Sequence, residues 1–230
     1  MKIIVDKKRI NKDKIIIIIP GWKFPEIVFK EFKKEIPQEF GYIHYCYSSD
    51  LLNSDPQSTK KNCLRLMEKI EKDIHKLNKI KKRKIYLYAQ SLGGIFAAYI
   101  ADKIDTEKII YIVPGENLAE SFWKSTQTQD LKKEMQRKGH NLKKLKKIWK
   151  KISPDHHLKN HAKNAFYLIK LSIHDTIIPY EQGKKLIALL KKRKFKYELK
   201  EGFLPHSELC LFECLFPQNS INFFKEEEKN

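Results

Sequence analysis

The chain has 230 residues, of which 41% are hydrophobic and 33% charged, with a formal net charge of +19. No apolar run reaches the ~18 residues a membrane span needs, and "MKIIVDKKRINKDK" has neither the apolar core nor the cleavage site of a secretory leader. A globular, cytoplasmic protein of one domain, with or without an insertion, is the expectation.

The charge invites a nucleic-acid reading, which the residue types oppose. Of 47 basic residues only five are arginine (Arg9, Arg65, Arg83, Arg137 and Arg193), and arginine is the usual bidentate reader of bases and phosphates. Lysine on solvated faces is the plain reading. An acidic carrier protein or an anionic lipid surface is the alternative partner. Cys46, Cys63, Cys210 and Cys214 show no CxxC spacing and read as reduced thiols. Cys210 and Cys214 would share a helical face, where a metal or redox pair is the competing reading.

In chain order, "MKIIVDKKRI" and "DKIIIIIPGW" predict strands, the second a continuous apolar run as in a sheet covered on both faces. "PEIVFKEFKKEI" predicts a helix with Ile27, Val28, Phe32 and Ile36 inward, and "GYIHYCYSS" a strand. The stretch from Ser58 to Lys79 predicts a long amphipathic helix with Cys63, Leu64, Met67, Ile70, Ile74 and Leu77 inward. "KIYLYAQ" predicts a strand, "GGIFAAYIADKI" a helix and "EKIIYIVPG" a strand. Residues 117–163 form a Lys-rich helical stretch, after which "AFYLIKLSIHD", "YEQGKKLIALLKKR" and "KFKYELKEG" predict strand, helix and strand. The last helix, from His206, breaks near Pro217. Alternating strands and helices predict an α/β fold with a mostly parallel sheet and helices on both faces.

The stretch "YLYAQSLGGIFAAYIA" passes from strand to helix with small residues at Ala89, Ser91, Gly93 and Gly94. A residue at so sharp a turn is held at strained dihedrals, and small neighbours remove the clashes. The turn lifts its side chain above the sheet edge and aims the following N–H groups, at a helix N-terminus, at whatever oxygen sits there. A nucleophilic serine needs both features, although a capping serine at a Gly-rich helix start gives the same short pattern. Ala89-Gln90-Ser91-Leu92-Gly93 resembles the G-x-S-x-G nucleophile elbow of the α/β-hydrolase superfamily, with alanine at the first glycine. The resemblance covers about residues 1 to 225. It implies an α/β-hydrolase fold with a small helical cap, a core of residues 1–116 and 164–230, and a cap insertion at 117–163.

It also implies partners for the serine, in the order Ser, then Asp or Glu, then His. "IHDTIIPYEQG" after a predicted strand resembles the family's acid turn and offers Asp175; "EGFLPHSE" offers His206, 31 residues later. Ser91, Asp175 and His206 are the expected catalytic residues. Asp175 as a plain helix-entry aspartate and His206 as a surface or capping histidine are the structural alternatives. Glu116, in "IVPGEN", is the alternative acid, and His174 is expected to be structural. The oxyanion hole implied by the family uses the backbone N–H of Leu92 and of Trp22, in "PGWKFPE". Family members often carry His-Gly there, so Pro-Gly-Trp is a departure. Gly21 and Gln90 are the expected substrate-pocket residues. The "PGW" turn and short chain are also similar to compact acyl-carrier methyl esterases of biotin synthesis. Peptidases of this fold usually carry a further domain, for which these residues leave no room.

No metal or cofactor is implied. His157 and His161 sit four apart but lack the glutamate of an HExxH arrangement. Residues 117–163 hold 13 Lys or Arg against 4 Asp or Glu. Within them Leu142, Leu145, Ile148, Trp149 and Ile152 share one face with lysines opposite. That face is expected to pack over the cleft; recruitment of an acidic carrier or lipid surface is the sharper alternative. The functional expectation is a serine hydrolase cleaving a small-molecule ester or thioester. A catalytically silent scaffold that binds an acidic partner is the competing class.

Overall fold

The structure, a computed structural model, describes residues 1–158 and 165–226. Seven strands form one sheet: β1 (Ile3–Lys8), β2 (Lys14–Ile19), β3 (Phe40–Tyr47), β4 (Lys84–Gln90), β5 (Lys108–Ile112), β6 (Phe166–Ser172) and β7 (Lys196–Gly202). Their order is β1-β3-β2-β4-β5-β6-β7, with every neighbouring pair parallel except β1 with β3. Ile15, Ile17 and Ile19 of β2 face one apolar cluster while Ile16 and Ile18 face the other. Period-2 alternation sends successive side chains to opposite faces. A strand covered on both sides therefore has no polar position, and this is why the run reads as unbroken isoleucine.

One face is covered by α2 (Pro56–Ile80), α3 (Gly93–Lys103) and α8 (Tyr180–Lys192), the other by α1 (Phe29–Glu35), α9 (His206–Leu215) and α10 (Gln218–Lys225). The start of α2 is set by Asp55, whose carboxylate accepts from the N–H groups of Gln57 (3.2 Å) and Ser58 (3.0 Å), with Pro56 at the first helical position. Three inward positions differ from the periodicity, Val28 being only half-buried. Ile27 is exposed and Phe29 is buried in its place, because residues 26–28 form a tighter 3-10 turn that shifts the phase before α1 begins. In α2 the buried face takes Leu66, while Leu64 is half-buried.

Between β5 and β6 lie α4 (Leu118–Lys124), α5 (Gln129–Arg137), α6 (Leu142–Trp149) and α7 (Pro154–His157). Leu145, Trp149 and Ile152 are fully buried and belong to the same cluster as the sheet and α2; Leu142 and Ile148 pack against it half-buried. Trp149 Nε1–H donates to the Pro56 carbonyl at the head of α2 (2.8 Å), and its ring meets Phe122 edge-on at 5.1 Å. The lysines of α6 face solvent. This stretch is thus sewn into the main core by its apolar face.

α9 differs. Leu209, Cys210 and Cys214 face the core, yet Leu211, Phe212 and Leu215 on its outer face are exposed. Among the described residues no helix is long and apolar enough to cross a membrane, and all four cysteines are free thiols, Cys210 and Cys214 buried.

Candidate active site

The chain leaves β2 for β3 on one side and returns to β4 on the other. A crevice therefore opens at the C-terminal ends of β2 and β4, where open α/β sheets bind ligands. Ser91 follows β4 directly. Its φ is 51°, in the left-handed region, which is uncommon for a residue with a Cβ. The turn is fixed by Ser91 N–H donating to the Ile112 carbonyl (2.8 Å) and Gly94 N–H donating to the Ser91 carbonyl (3.0 Å). Gly93 is required by contact: a Cβ there would lie 2.3 Å from the Ile19 carbonyl oxygen and 2.8 Å from that of Pro20. Gly21 crowds the serine more mildly from the other side, since a Cβ on it would approach Ser91 Cβ to 3.1 Å.

Asp175 and His206 reach Ser91 from the ends of β6 and β7. β6 stops at Ser172, short of the strand expected to run to Asp175, so Asp175 sits in the turn that follows. Asp175 Oδ1 accepts from the N–H groups of Ile177 and Ile178, each at 2.8 Å. Its Oδ2 lies 2.7 Å from His206 Nδ1, and His206 Nε2 lies 2.8 Å from Ser91 Oγ. His206 opens α9 and is 6% exposed; Asp175 is 8% exposed. A carboxylate accepting at Nδ1 fixes the tautomer that leaves Nε2 bare toward the hydroxyl.

Among the described residues no bond joins Glu116 to His206. The Glu116 backbone is tied to Gln182 and Asp155 instead, and burial, with the Asp155 charge beside it, raises its pKa. His174 is exposed, its ring 6.0 Å from that of Phe203.

The "PGW" turn is pinned at both ends: Tyr47 O–H donates to the Pro20 carbonyl (2.6 Å), and Trp22 Nε1–H donates to the Ser49 carbonyl (2.7 Å). Among the described residues the backbone N–H groups of Trp22 and Leu92 have no acceptor. Two spaces meet at Ser91. A cleft of about 210 Å³ is lined by Gly21, Trp22, Lys23, Phe24, Ser207 and His206, among others. A slot of about 40 Å³ lies beneath α4, walled chiefly by Trp22, Leu52, Leu92, Leu118, Phe122 and Ile178. Sequence reasoning missed Leu118, Phe122 and Tyr47, whose roles depend on contacts between distant segments.

Gln90 does not line either space. It is fully buried on the α9 side, where its Nε2 bonds the Tyr88 hydroxyl (2.9 Å), the Cys210 carbonyl (3.0 Å) and Cys214 Sγ (3.2 Å). Strand alternation is the cause: Gln90 and Tyr88 share one face of β4, and Tyr88 packs in the cluster beneath α1 and α9.

Of the histidines singled out by spacing, His157 bonds the Lys151 carbonyl (2.7 Å) and His161 lies outside the described residues. Glu26, His44 and Cys46 form the one group of three metal-type donors among the described residues. Cys46 Sγ is 3.4 Å from His44 Nε2 and 3.8 Å from Nδ1. A sulfur so nearly equidistant from both ring nitrogens sits off the in-plane axis along which either would share a metal with it. Burial, reinforced by Lys33, pushes the imidazole down to about 3; burial, with Glu26, pushes the thiol up to about 12. The group is a neutral, packed pair.

No family model matches the chain, and no curated protein matches it in sequence. Solved structures do match. The acylaminoacyl peptidase of Pyrococcus horikoshii superposes with a TM-score of 0.68 at 16% identity, over 98% of this chain and 40% of that one. This chain therefore spans well under half of that peptidase. A Bacillus cereus carboxylesterase matches with a TM-score of 0.61 at 11% identity, over 97% and 94% of the two chains. Thermogutta terrifontis esterase 2 matches at 0.58 and 16% identity, over 97% and 86%. With the strand order and the turn after β4, these likenesses define the chain as an α/β-hydrolase fold.

Proposed function

We propose that the protein is a serine hydrolase that cleaves a small carboxylic ester or thioester through an acyl-enzyme on Ser91. The observation that carries this reading is the unbroken line from Asp175 through His206 to Ser91, at 2.7 and 2.8 Å, ending on a serine held at positive φ. Ser91 Oγ attacks the acyl carbonyl while His206 Nε2 takes its proton. The N–H groups of Leu92 and Trp22 hold the oxyanion. The tetrahedral species collapses, His206 returns the proton to the leaving group, and water repeats the cycle to free the acid and Ser91. Asp175 holds the ring and supports its positive charge throughout. None of these steps draws on a cofactor.

In this reading residues 117–163 serve as the cap, and α4 closes one side of the site. A cytoplasmic setting is part of the same reading, supported by the four free thiols. The exposed α6 lysines leave an acidic carrier protein or an anionic lipid surface as the proposed source of a larger substrate. The intact line of three residues favours the enzyme over a silent scaffold.

Labelling with a fluorophosphonate, followed by mapping of the modified peptide, tests the nucleophile. A panel of p-nitrophenyl esters, acyl thioesters and N-acyl peptides then tests the bond. Stoichiometric labelling at Ser91 with turnover of esters or thioesters is the expected result. Labelling with turnover of peptides alone would replace the ester reading by a peptidase one, the direction in which the Pyrococcus horikoshii likeness points.

A further inference from the structure

The two spaces at Ser91 differ in size and in which catalytic groups they touch, and this orients the substrate. The general acid must face the leaving group it protonates. His206 and Ser207 line the larger cleft; neither lines the slot. The slot instead runs past Trp22 and Leu92 to an apolar wall of Leu52, Leu118, Phe122 and Ile178. The leaving group therefore belongs in the cleft and the acyl chain in the slot.

The slot is small. An apolar cavity of about 150 Å³ takes a benzene-sized ligand, and the slot, at about 40 Å³, is roughly a quarter of that. The wall is also backed. Phe122 rests edge-on against Trp149, which is fully buried and bonded to Pro56. The Phe122 carbonyl accepts from Thr128 Oγ1–H. The slot cannot lengthen by swinging this ring without disturbing α6.

We propose that the enzyme selects acyl groups of about two to four carbons, with Phe122 and Leu118 as the residues that set the limit. This rests on the serine-hydrolase reading above. The leaving group, in a cleft about five times larger, is tolerated far more broadly.

The test is a series of p-nitrophenyl acetate, butyrate, hexanoate and octanoate, with a small fluorophosphonate to count active Ser91. We expect kcat/KM to fall about 100-fold or more from butyrate to octanoate. Phe122→Ala should move the optimum to hexanoate or beyond when rates are expressed per labelled Ser91. Phe122→Leu and Leu118→Ala, which disturb the core less, should shift it in the same direction. Full labelling with a profile that is flat, or rises to octanoate, overturns the size limit and leaves the hydrolase reading standing. Absence of labelling at Ser91 removes that reading, and this proposal with it.

Discussion

Of the three buried histidines among the described residues, His206 and His44 each lie against a side chain that can act as a nucleophile. His206 stands 2.8 Å from Ser91 Oγ, and His44 stands 3.4 Å from Cys46 Sγ. They are 6% and 0% exposed. What separates them is the third neighbour. His206 has the Asp175 carboxylate at 2.7 Å, which accepts at Nδ1 and leaves Nε2 bare toward Ser91. His44 has the Phe29 ring, with centroids 4.7 Å apart; the Glu26 carboxylate comes within 4.8 Å of it without bonding it, and burial drives it down to about 3. Asp175 is itself held ready by two backbone N–H groups. A histidine beside a nucleophile becomes a base only when something stabilises its cation.

The sharpest way to break this comparison is to remove each nucleophile in turn. Ser91→Ala should cost on the order of 10⁶ in kcat and abolish fluorophosphonate labelling, because a triad acts as a unit. Its melting temperature should stay close to wild type. Cys46→Ala should leave turnover within about twofold, since no reaction step uses it. Comparable losses in both would erase the distinction.

Next comes the carboxylate. Asp175→Asn keeps the shape but loses the charge, and should cost on the order of 10⁴ in kcat by the logic of such triads. If Glu116→Gln showed the large loss in steady-state kinetics while Asp175→Asn did not, the acid would be misassigned.

The third effect is on stability. A histidine whose folded pKa lies below its unfolded value of 6.5 stabilises the fold fully above pH 6.5. That contribution is lost as pH falls toward about 3. In this window each pH unit should remove up to about 1.4 kcal/mol, read as a falling urea midpoint. His44→Gln should flatten that slope between pH 6.5 and 4. An unchanged slope would mean that His44 is not the group responsible.

The smallest effect concerns the chain's charge. Lys143, Lys147 and Lys150 are exposed on and just beyond α6, far in role from either histidine. Their replacement by Gln should change kcat/KM for p-nitrophenyl butyrate by less than about twofold at any salt concentration. A large change would show that field, as well as partner, governs the site.

How much of this could be read in advance depends on how local each cause is. The turn at Ser91 was legible because its steric demand falls on a residue two positions away, and Gly93 displays it. The alternation of strands and helices was legible for the same reason. The extent of single elements was less so. Ile27 carries the right polarity for an inward position, but a 3-10 turn changes the rotation per residue ahead of α1. Gln90, next to the serine, looked like a pocket residue, yet strand alternation turns it under α9 to bond Tyr88, Cys210 and Cys214. The slot was not legible, because Trp22, Leu52, Leu118, Phe122 and Ile178 meet only after the sheet assembles.

Nucleophile, acid and base come from the ends of β4, β6 and β7, whereas α4, with the Phe122 and Leu118 that wall the slot, comes from the crossing between β5 and β6. The reacting atoms and the far wall of the slot are therefore written on separate paragraphs of the same chain. A lineage could vary the α4 side chains that face the slot and test a new diet each time without touching the reacting atoms, whereas the buried face of α6, shared with the sheet and α2, answers to the core.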